Sequence, residues 1–361
     1  MKIFVIGSSI TSSYWNGAAT YYRGIYRGLH ALGYDITFAE PDAYGRQQHR
    51  DGTNEDFSYV RSWVYRSPQS LDTVIRAASD ADLVIKHSGV GVDDDHLEAA
   101  VAQLRSPRTR VAFWDVDAPA TLARVENDPA DPFQALIPQY DFIFTYGGGA
   151  PVVDHYLRLG ARNCHPIYNA LDPDHHRPET ARADLKCDLV FVGNRLPDRE
   201  KRVEEFFLRA AELAPEMSFV LGGEGWGGKQ MPANVHWIRH GGTGDHNVVN
   251  CSARMVLNIN RDSMANVGFS PPTRVFEAAG AGACLITDFW TGIETFFVPE
   301  REILVARSAE DIVHHLRTVN RIEADAIGGR MRDRALRDHT YSQRAELVHA
   351  ILGRHTAGVA A

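Results

Sequence analysis

The sequence predicts an α/β protein built from two doubly wound domains, and three observations predict it. The chain has 361 residues, about twice the usual length of one domain. Short apolar runs rich in Val, Ile and Phe alternate with amphipathic stretches in both halves, as parallel strands buried on both faces alternate with helices. A polar, proline-containing segment separates the two series.

In the first series the runs are Lys2–Gly7, Asp35–Glu40, Asp82–Lys86, Arg110–Trp114 and Asp141–Thr145. Between the first two, Tyr22, Ile25, Tyr26, Leu29 and Leu32 recur at helical spacing and Gly33 follows as a stop. The tyrosines read as core packing. The segment IYNALDPDHHRPETARAD (Ile167–Asp184) has two prolines and no long apolar run, and reads as a linker. The second series is Asp188–Val192, Ser218–Leu221, Val235–Ile238, Met255–Ile259, Cys284–Thr287 and Ile303–Val305, with a helix marked by Val203, Phe206, Phe207 and Ala210 after the first run. The expected organisation is an N-terminal domain over 1–167, a linker over 168–185, a second domain over 186–340, and a C-terminal helix over 341–361 that packs back toward the N-terminal domain. Ligands of such sheets sit at the carboxyl ends of the strands. Two sheets facing across a cleft would place the site in that cleft.

Composition narrows the function. The formal net charge is −8, which argues against nucleic acid as the main partner, because phosphate-dominated binding needs a basic surface. The N-terminus MKIFVIGSSI lacks the basic region of a signal peptide and reads as a strand. No apolar run is long enough to span a bilayer. Cys164, Cys187, Cys251 and Cys284 form no Cys-x-x-Cys pair and suit a reducing, cytoplasmic setting. A homodimer is compatible with the sequence.

The most informative segment is SPPTRVFEAAGAGACLITD (Ser270–Asp288). Ser270 is placed to cap a helix running from about Pro272 to Ala281. The amides of Ser270 to Thr273 at its N-terminus suit a diphosphate. Arg274 and Glu277 share one face; they either bind phosphate and ribose or form an intrahelical ion pair beside a small-residue packing surface. Arg195 and Lys201, in NRLPDREKR, are either phosphate ligands or part of a solvated loop. The glycines of Gly222–Trp226, Gly223 among them, permit close approach to a flat base on which Trp226 would stack, or form a plain turn. The loop Gly7–Gly17 lacks Gly-x-Gly-x-x-Gly, so no nicotinamide or flavin fingerprint is present, while Gly17 would let backbone approach a ligand. His87 ends one strand and Asp115 and Asp117 end the next; alternation would send the two aspartates to the same side. His87 is either a cleft residue or a hydrogen-bonded core histidine, and either aspartate is a candidate base. His175–His176 and His314–His315 lack metal-ligand spacing and read as surface residues.

Ser270–Asp288 resembles the donor-binding helix of GT-B glycosyltransferases, especially the retaining group, whose pattern is Glu, seven residues, then a second Glu. Glu277 matches the second, which binds ribose in that family; Phe269 stands where the first would contact the donor sugar. NALDPDHHRP (Asn169–Pro178) resembles the family's linker, and DLVFVGNRLPDREKR (Asp188–Arg202) its first donor-domain strand and phosphate-side loop. TGIETFFVPEREILVARSAEDI (Thr291–Ile312) and DHTYSQRAELV (Asp338–Val348) are similar to the CgeB-like, spore-maturation branch. The resemblance covers roughly the C-terminal half. It implies a GT-B fold of two Rossmann-like domains, acceptor-side over 1–167 and nucleotide-sugar-binding over 186–340, and transfer of a hexose-type sugar from a UDP-, GDP- or dTDP-linked donor to an acceptor that the residues do not identify. It further implies a retaining reaction with no metal and no separate cofactor. The donor-side residues would be Gly17, Arg195, Lys201, Gly223, Ser270, Thr273, Arg274 and Glu277, with His87, Asp115 and Asp117 on the catalytic side. A sugar-nucleotide epimerase or hydrolase, or a non-catalytic binding protein on the same scaffold, are the alternatives.

Overall fold

The structure, a computed structural model, describes residues 1–68, 70–238 and 246–357. The chain forms two compact units. One comprises Met1–Asn169 with the C-terminal helix from Tyr341, the other Ala170–Thr340.

The first unit carries seven parallel strands: β1 (Lys2–Ile6), β2 (Asp35–Pro41), β3 (Arg61–Tyr65), β4 (Leu83–His87), β5 (Arg110–Asp115), β6 (Phe142–Thr145) and β7 (Cys164–Pro166). Their order is β3-β2-β1-β4-β5-β6-β7. In register, Val5 lies opposite Phe38 on one side and Ile85 on the other, and all three are fully buried. Continuous apolar strands thus form a sheet covered on both faces. β3 and β7 escaped the sequence reading for physical reasons. β3 is an edge strand whose residues are mostly exposed or half-buried, and β7 is three residues long.

The first helix spans Ala19–Ala31. Tyr22, Ile25, Tyr26 and Leu29 are buried in the core as their spacing required, and Gly33 follows in the left-handed conformation. Leu32 departs from the expected stripe. It lies just past the helix and is 41% exposed. The helix Tyr341–Ala357 packs on the first helix, and the hydroxyl of buried Tyr341 donates to Asn169 Oδ1 at 3.3 Å.

The second unit holds six parallel strands: β8 (Cys187–Val192), β9 (Phe219–Gly222), β10 (Val235–Ile238), β11 (Ala253–Asn258), β12 (Leu285–Asp288) and β13 (Leu304–Ala306). Their order is β10-β9-β8-β11-β12-β13. Each unit is therefore a doubly wound, Rossmann-like sheet in which the strand order reverses beside the first strand. Val203, Phe206, Phe207 and Ala210 are buried against β8, β9 and β11. They lie on a helix interrupted by a π-turn at Glu204–Leu208.

The segment expected to be a linker is partly built into the second unit. The Leu171 amide donates to His339 O at 2.7 Å, and Leu171 bridges Thr340 in parallel. All four cysteines are free thiols. No described helix is long and apolar enough to cross a membrane.

Candidate functional site

The second unit offers the denser cluster of chemistry, at the carboxyl ends of β8, β11 and β12. β8 and β11 are neighbours at the point where the strand order reverses, where the loops that follow them part.

The loops after β8 and β9 are zipped together. Asn194 Oδ1 accepts from the Glu224 amide at 3.1 Å, and the Arg195 amide donates to Glu224 O at 2.9 Å. Gly223 has φ +128°, and a Cβ there would fall 2.3 Å from Gly193 O. Loop-to-loop packing thus requires glycine here. Trp226 was open to stacking on a base or to a plain turn. Its ring is fully buried and its indole N–H donates to Gly193 O at 2.8 Å, so it supports the loop from beneath and presents no face to a ligand.

The basic residues near this loop divide by their partners. Arg195 donates to Glu200 Oε1 at 2.6 Å, and Lys229 reaches the same oxygen at 3.0 Å. Those two hydrogen bonds, that of Arg195 first, pull the Glu200 carboxyl down to about 2. Arg195 is therefore charge-compensated by Glu200. Lys201 is exposed. Arg199 and Arg274, by contrast, lie against one ring, 5.5 and 5.3 Å from the centroid of Phe191 near the end of β8. Arg199 also donates to Asn194 O at 2.8 Å. Arg202 Nη2 meets Asp288 Oδ2 at 2.5 Å at the end of β12. Asp288 is fully buried; it also accepts from the Asn260 amide, and Asn258 links to Thr287 Oγ1 at 3.1 Å. Burial raises the Asp288 pKa, and Arg202 works against the rise.

The helix Thr273–Ala281 begins at Thr273, half-buried, with Pro272 as N-cap and no side chain capping it. Ser270 is not the cap it was expected to be: its hydroxyl donates to Gly268 O at 2.9 Å. Phe269, at the position of the resembled family's first Glu, has φ +47°. Its ring packs so closely on Gly292 that a Cβ there would come within 2.2 Å.

Glu277 is the centre of this helix's chemistry. His246 Nδ1 lies 3.4 Å from Glu277 Oε2. Burial by itself would raise the Glu277 pKa. The hydrogen bond from His246 and the charges of His246, His176 and Arg274 override it and hold the carboxyl at about 2. Gly280, one turn along, explains why His176 is here. A Cβ at Gly280 would sit 2.5 Å from His176 O, so only glycine lets the 171–176 segment lie against the helix. His176 is half-buried, and burial lowers its pKa; the surface role expected for it is corrected.

The first unit accounts differently for the residues expected there. His87 is 1% exposed, its ring 4.3 Å from Tyr22 and 5.4 Å from Trp114, with Nε2 2.5 Å from the Tyr26 hydroxyl. Burial, then the charge of Lys86, pushes its pKa well below the ordinary value, and the ring is the hydrogen-bonded core histidine of its two readings. Asp115 is fully buried and saturated. Oδ1 accepts from the Asp117 amide at 3.0 Å and Thr121 Oγ1 at 3.1 Å, and Oδ2 accepts from Tyr156 Oη at 2.5 Å. That makes it an organiser of the turn after β5, which corrects its reading as a base. Asp117 is not a strand residue at all. It is the half-buried N-cap position of the helix Ala118–Asn127, so the alternation argument fails where the strand ends. Gly17 has open space beside its Cα, in a loop fixed by buried Glu40, which accepts from the Ile10 amide at 2.6 Å.

Arg199, Arg202, Asp288, His176 and His246 were missed because each joins the cluster through tertiary contact. A strand-end Asp such as Asp288 was the one local signal available.

The fold and the cluster define the class: two Rossmann-like α/β units in the GT-B arrangement of elements, with basic and acidic groups gathered at the strand ends of the second. Residues 199–350 match the family described as "Glycosyl transferase-like". Solved structures similar to this chain include Anabaena HepE in complex with UDP and glucose, at 11% identity and TM-score 0.71, over 98% of this chain and 100% of that one. Another is sucrose-phosphate synthase from Thermosynechococcus elongatus, at 14% identity and TM-score 0.68, over 99% and 100%. A third is an alpha-glucosyltransferase in complex with UDP-glucose and DNA containing an abasic site, at 12% identity and TM-score 0.69, over 98% of each chain. No curated protein matches the chain in sequence.

Proposed function

We propose that this protein is a glycosyltransferase that takes a hexose-type sugar from a nucleoside-diphosphate donor, retaining configuration and using no metal, as in the CgeB-like branch it resembles. The observation that carries the proposal is the Glu277 carboxylate, kept ionised by His246, His176 and Arg274 on the helix that follows the β11 region. An ionised, half-sequestered carboxylate is suited to accept hydrogen bonds from the two hydroxyls of a ribose. Arg274, one turn toward the helix N-terminus, and Arg199 share the Phe191 ring at the end of β8. They supply positive charge where a diphosphate would gather it.

Glycosyl transfer passes through an oxocarbenium-like state while negative charge grows on the departing diphosphate. Fixed guanidinium groups and the first amides of the 273–281 helix would meet that charge without reorganising. The structures similar in fold that hold UDP with glucose, or UDP-glucose, make UDP-glucose the first donor to try.

The test is turnover. UDP-, GDP- and dTDP-hexoses are incubated with the protein and a panel of acceptors, and released nucleotide and transferred sugar are both measured. Transfer that falls strongly in Glu277→Gln supports the reading. Release of free sugar with no transfer to any acceptor would assign a hydrolase, and no consumption of any donor would remove the reading.

A further inference from the structure

We propose that Trp15, Tyr14 and Tyr44 form a docking platform for a saccharide acceptor on the first unit. The inference rests on the transferase reading for the word acceptor, but the platform itself rests on separate observations.

Aromatic rings in a folded unit are normally consumed by the core, as Tyr21, Tyr22, Tyr26 and Trp114 are here. Three are not. Trp15 is 74% exposed, Tyr44 56% and Tyr14 40%. All three lie in the loops that follow β1 and β2, at the carboxyl ends of the strands, where doubly wound sheets receive ligands. They are close together. The Tyr14 and Trp15 rings are 6.2 Å apart, and Arg46 ties Trp15 to Tyr44, with Nη2 3.4 Å from Trp15 O and the guanidinium carbon 5.0 Å from the Tyr44 ring centroid.

These rings are held out, not left loose. Trp15 has φ +48° and Tyr44 φ +57°, left-handed conformations that bulky residues rarely adopt. Strain of this kind persists where the surroundings over-determine it, and it gathers at ligand sites. The surroundings do over-determine it. Asn16 donates to Ser9 O and Ser12 O, Arg46 donates to Ser8 O, and the Tyr44 hydroxyl donates to Gly91 O at 2.5 Å. Tyr14 stacks on His49 at 4.0 Å with the planes 10° apart.

The charges nearby choose the ligand class. Arg23 is paired with Asp51 at 2.7 Å and also donates to Ile10 O, and Arg46 donates through Nη1 to Ser8 O and through Nη2 to Trp15 O. Arg50 donates to Gln47 Oε1 and Asn54 Oδ1, so the arginines described in these loops are engaged within the protein and are not gathered toward phosphates, as nucleic acid and anionic lipid would need. Flat amphipathic rings such as these suit a neutral ligand that has apolar C–H faces and many hydroxyls. A sugar ring is such a ligand.

The test uses the full chain. Of its six tryptophans, Trp114, Trp226 and Trp290 are buried and Trp63 and Trp237 half-buried, so iodide quenching reads Trp15 first. Maltohexaose, cellohexaose, chitohexaose, anionic phospholipid vesicles and single-stranded DNA are compared as shields, and UDP affinity is measured in parallel. One of the oligosaccharides is expected to protect Trp15. By calorimetry Trp15→Gly, which suits the left-handed backbone, is expected to weaken that oligosaccharide by roughly tenfold or more, the usual cost of removing an aromatic anchor. UDP affinity should stay unchanged, and Trp15→Tyr should restore most of the binding. Shielding by vesicles or DNA instead, shielding by nothing, or saccharide binding unaltered in both Trp15→Gly and Tyr44→Gly would overturn the platform. Saccharide binding by a chain that takes no nucleotide would support the platform and remove the transferase reading.

Discussion

His246 Nδ1 stands 3.4 Å from Glu277 Oε2, and this contact joins the first turn of the short helix His246–Ser252 to the middle of the helix Thr273–Ala281. It fixes the ionisation of the one carboxylate on which the donor-site reading turns.

A pH prediction follows from its sign. The Glu277 carboxyl is depressed to about 2 in the folded protein, below its ordinary value near 4.3. A depressed acid contributes stability above its unfolded pKa and loses it as pH falls through the folded one. Between about pH 4.5 and 2, Glu277→Gln should therefore lose less stability than the parent chain. Denaturant melts at pH 7, 5 and 3.5 measure this, and identical pH slopes for the two proteins would contradict it.

The Arg202–Asp288 pair should behave as a buried ion pair. Arg202→Met leaves Asp288 buried and unpaired, at a cost of about 3 kcal/mol. Burial already raises the Asp288 pKa, and losing the guanidinium raises it further. The carboxyl then avoids the penalty by binding a proton at low pH, so the destabilisation should grow as pH rises. Thermal unfolding at pH 5 and pH 8 checks it, with the larger fall in Tm expected at pH 8.

Gly280→Ala tests how His176 reaches Glu277. The new methyl would fall 2.5 Å from His176 O, and backbone rather than a flexible side chain must give way. Overpacking of this kind costs about 1–3 kcal/mol. The displaced 171–176 segment should carry His176 off Glu277, and nucleotide affinity should fall along with stability.

Trp226→Phe separates a supporting role from a stacking one. The loss of the hydrogen bond to Gly193 O should cost about 1 kcal/mol. Because the ring is buried, the relative affinities for UDP, GDP and dTDP should not change. A change in base preference would restore the stacking role.

Much of the architecture was legible because parallel strands buried on both faces are continuous apolar runs. β1, β4 and β8 could hardly be anything else. β3 was not legible because an edge strand has one unpaired side and less need of apolar residues. In the candidate site, the pairing of Arg274 with Glu277 was legible because residues three apart on a helix share one face. His176, His246 and Arg202 were not, because their roles arise from contacts across long sequence separations. His87 and Asp115 show the limit of strand-end reasoning. A position at the end of a strand gives direction along the sheet but not depth, and both side chains turn into the core. Trp226 misled for a related reason. Its glycine-rich setting signalled close packing, and the partner of that packing is the loop at Gly193.

The central claim is that Glu277, flanked by Arg274, grips the sugar-bearing nucleotide. Calorimetry of UDP, GDP and dTDP against the parent chain and Glu277→Gln at pH 7 tests it most directly. The account predicts that one nucleotide binds the parent and that the variant weakens it roughly ten- to a hundredfold, as loss of hydrogen bonds to a charged group would. Binding of none of the three, or equal binding by both proteins, would contradict it.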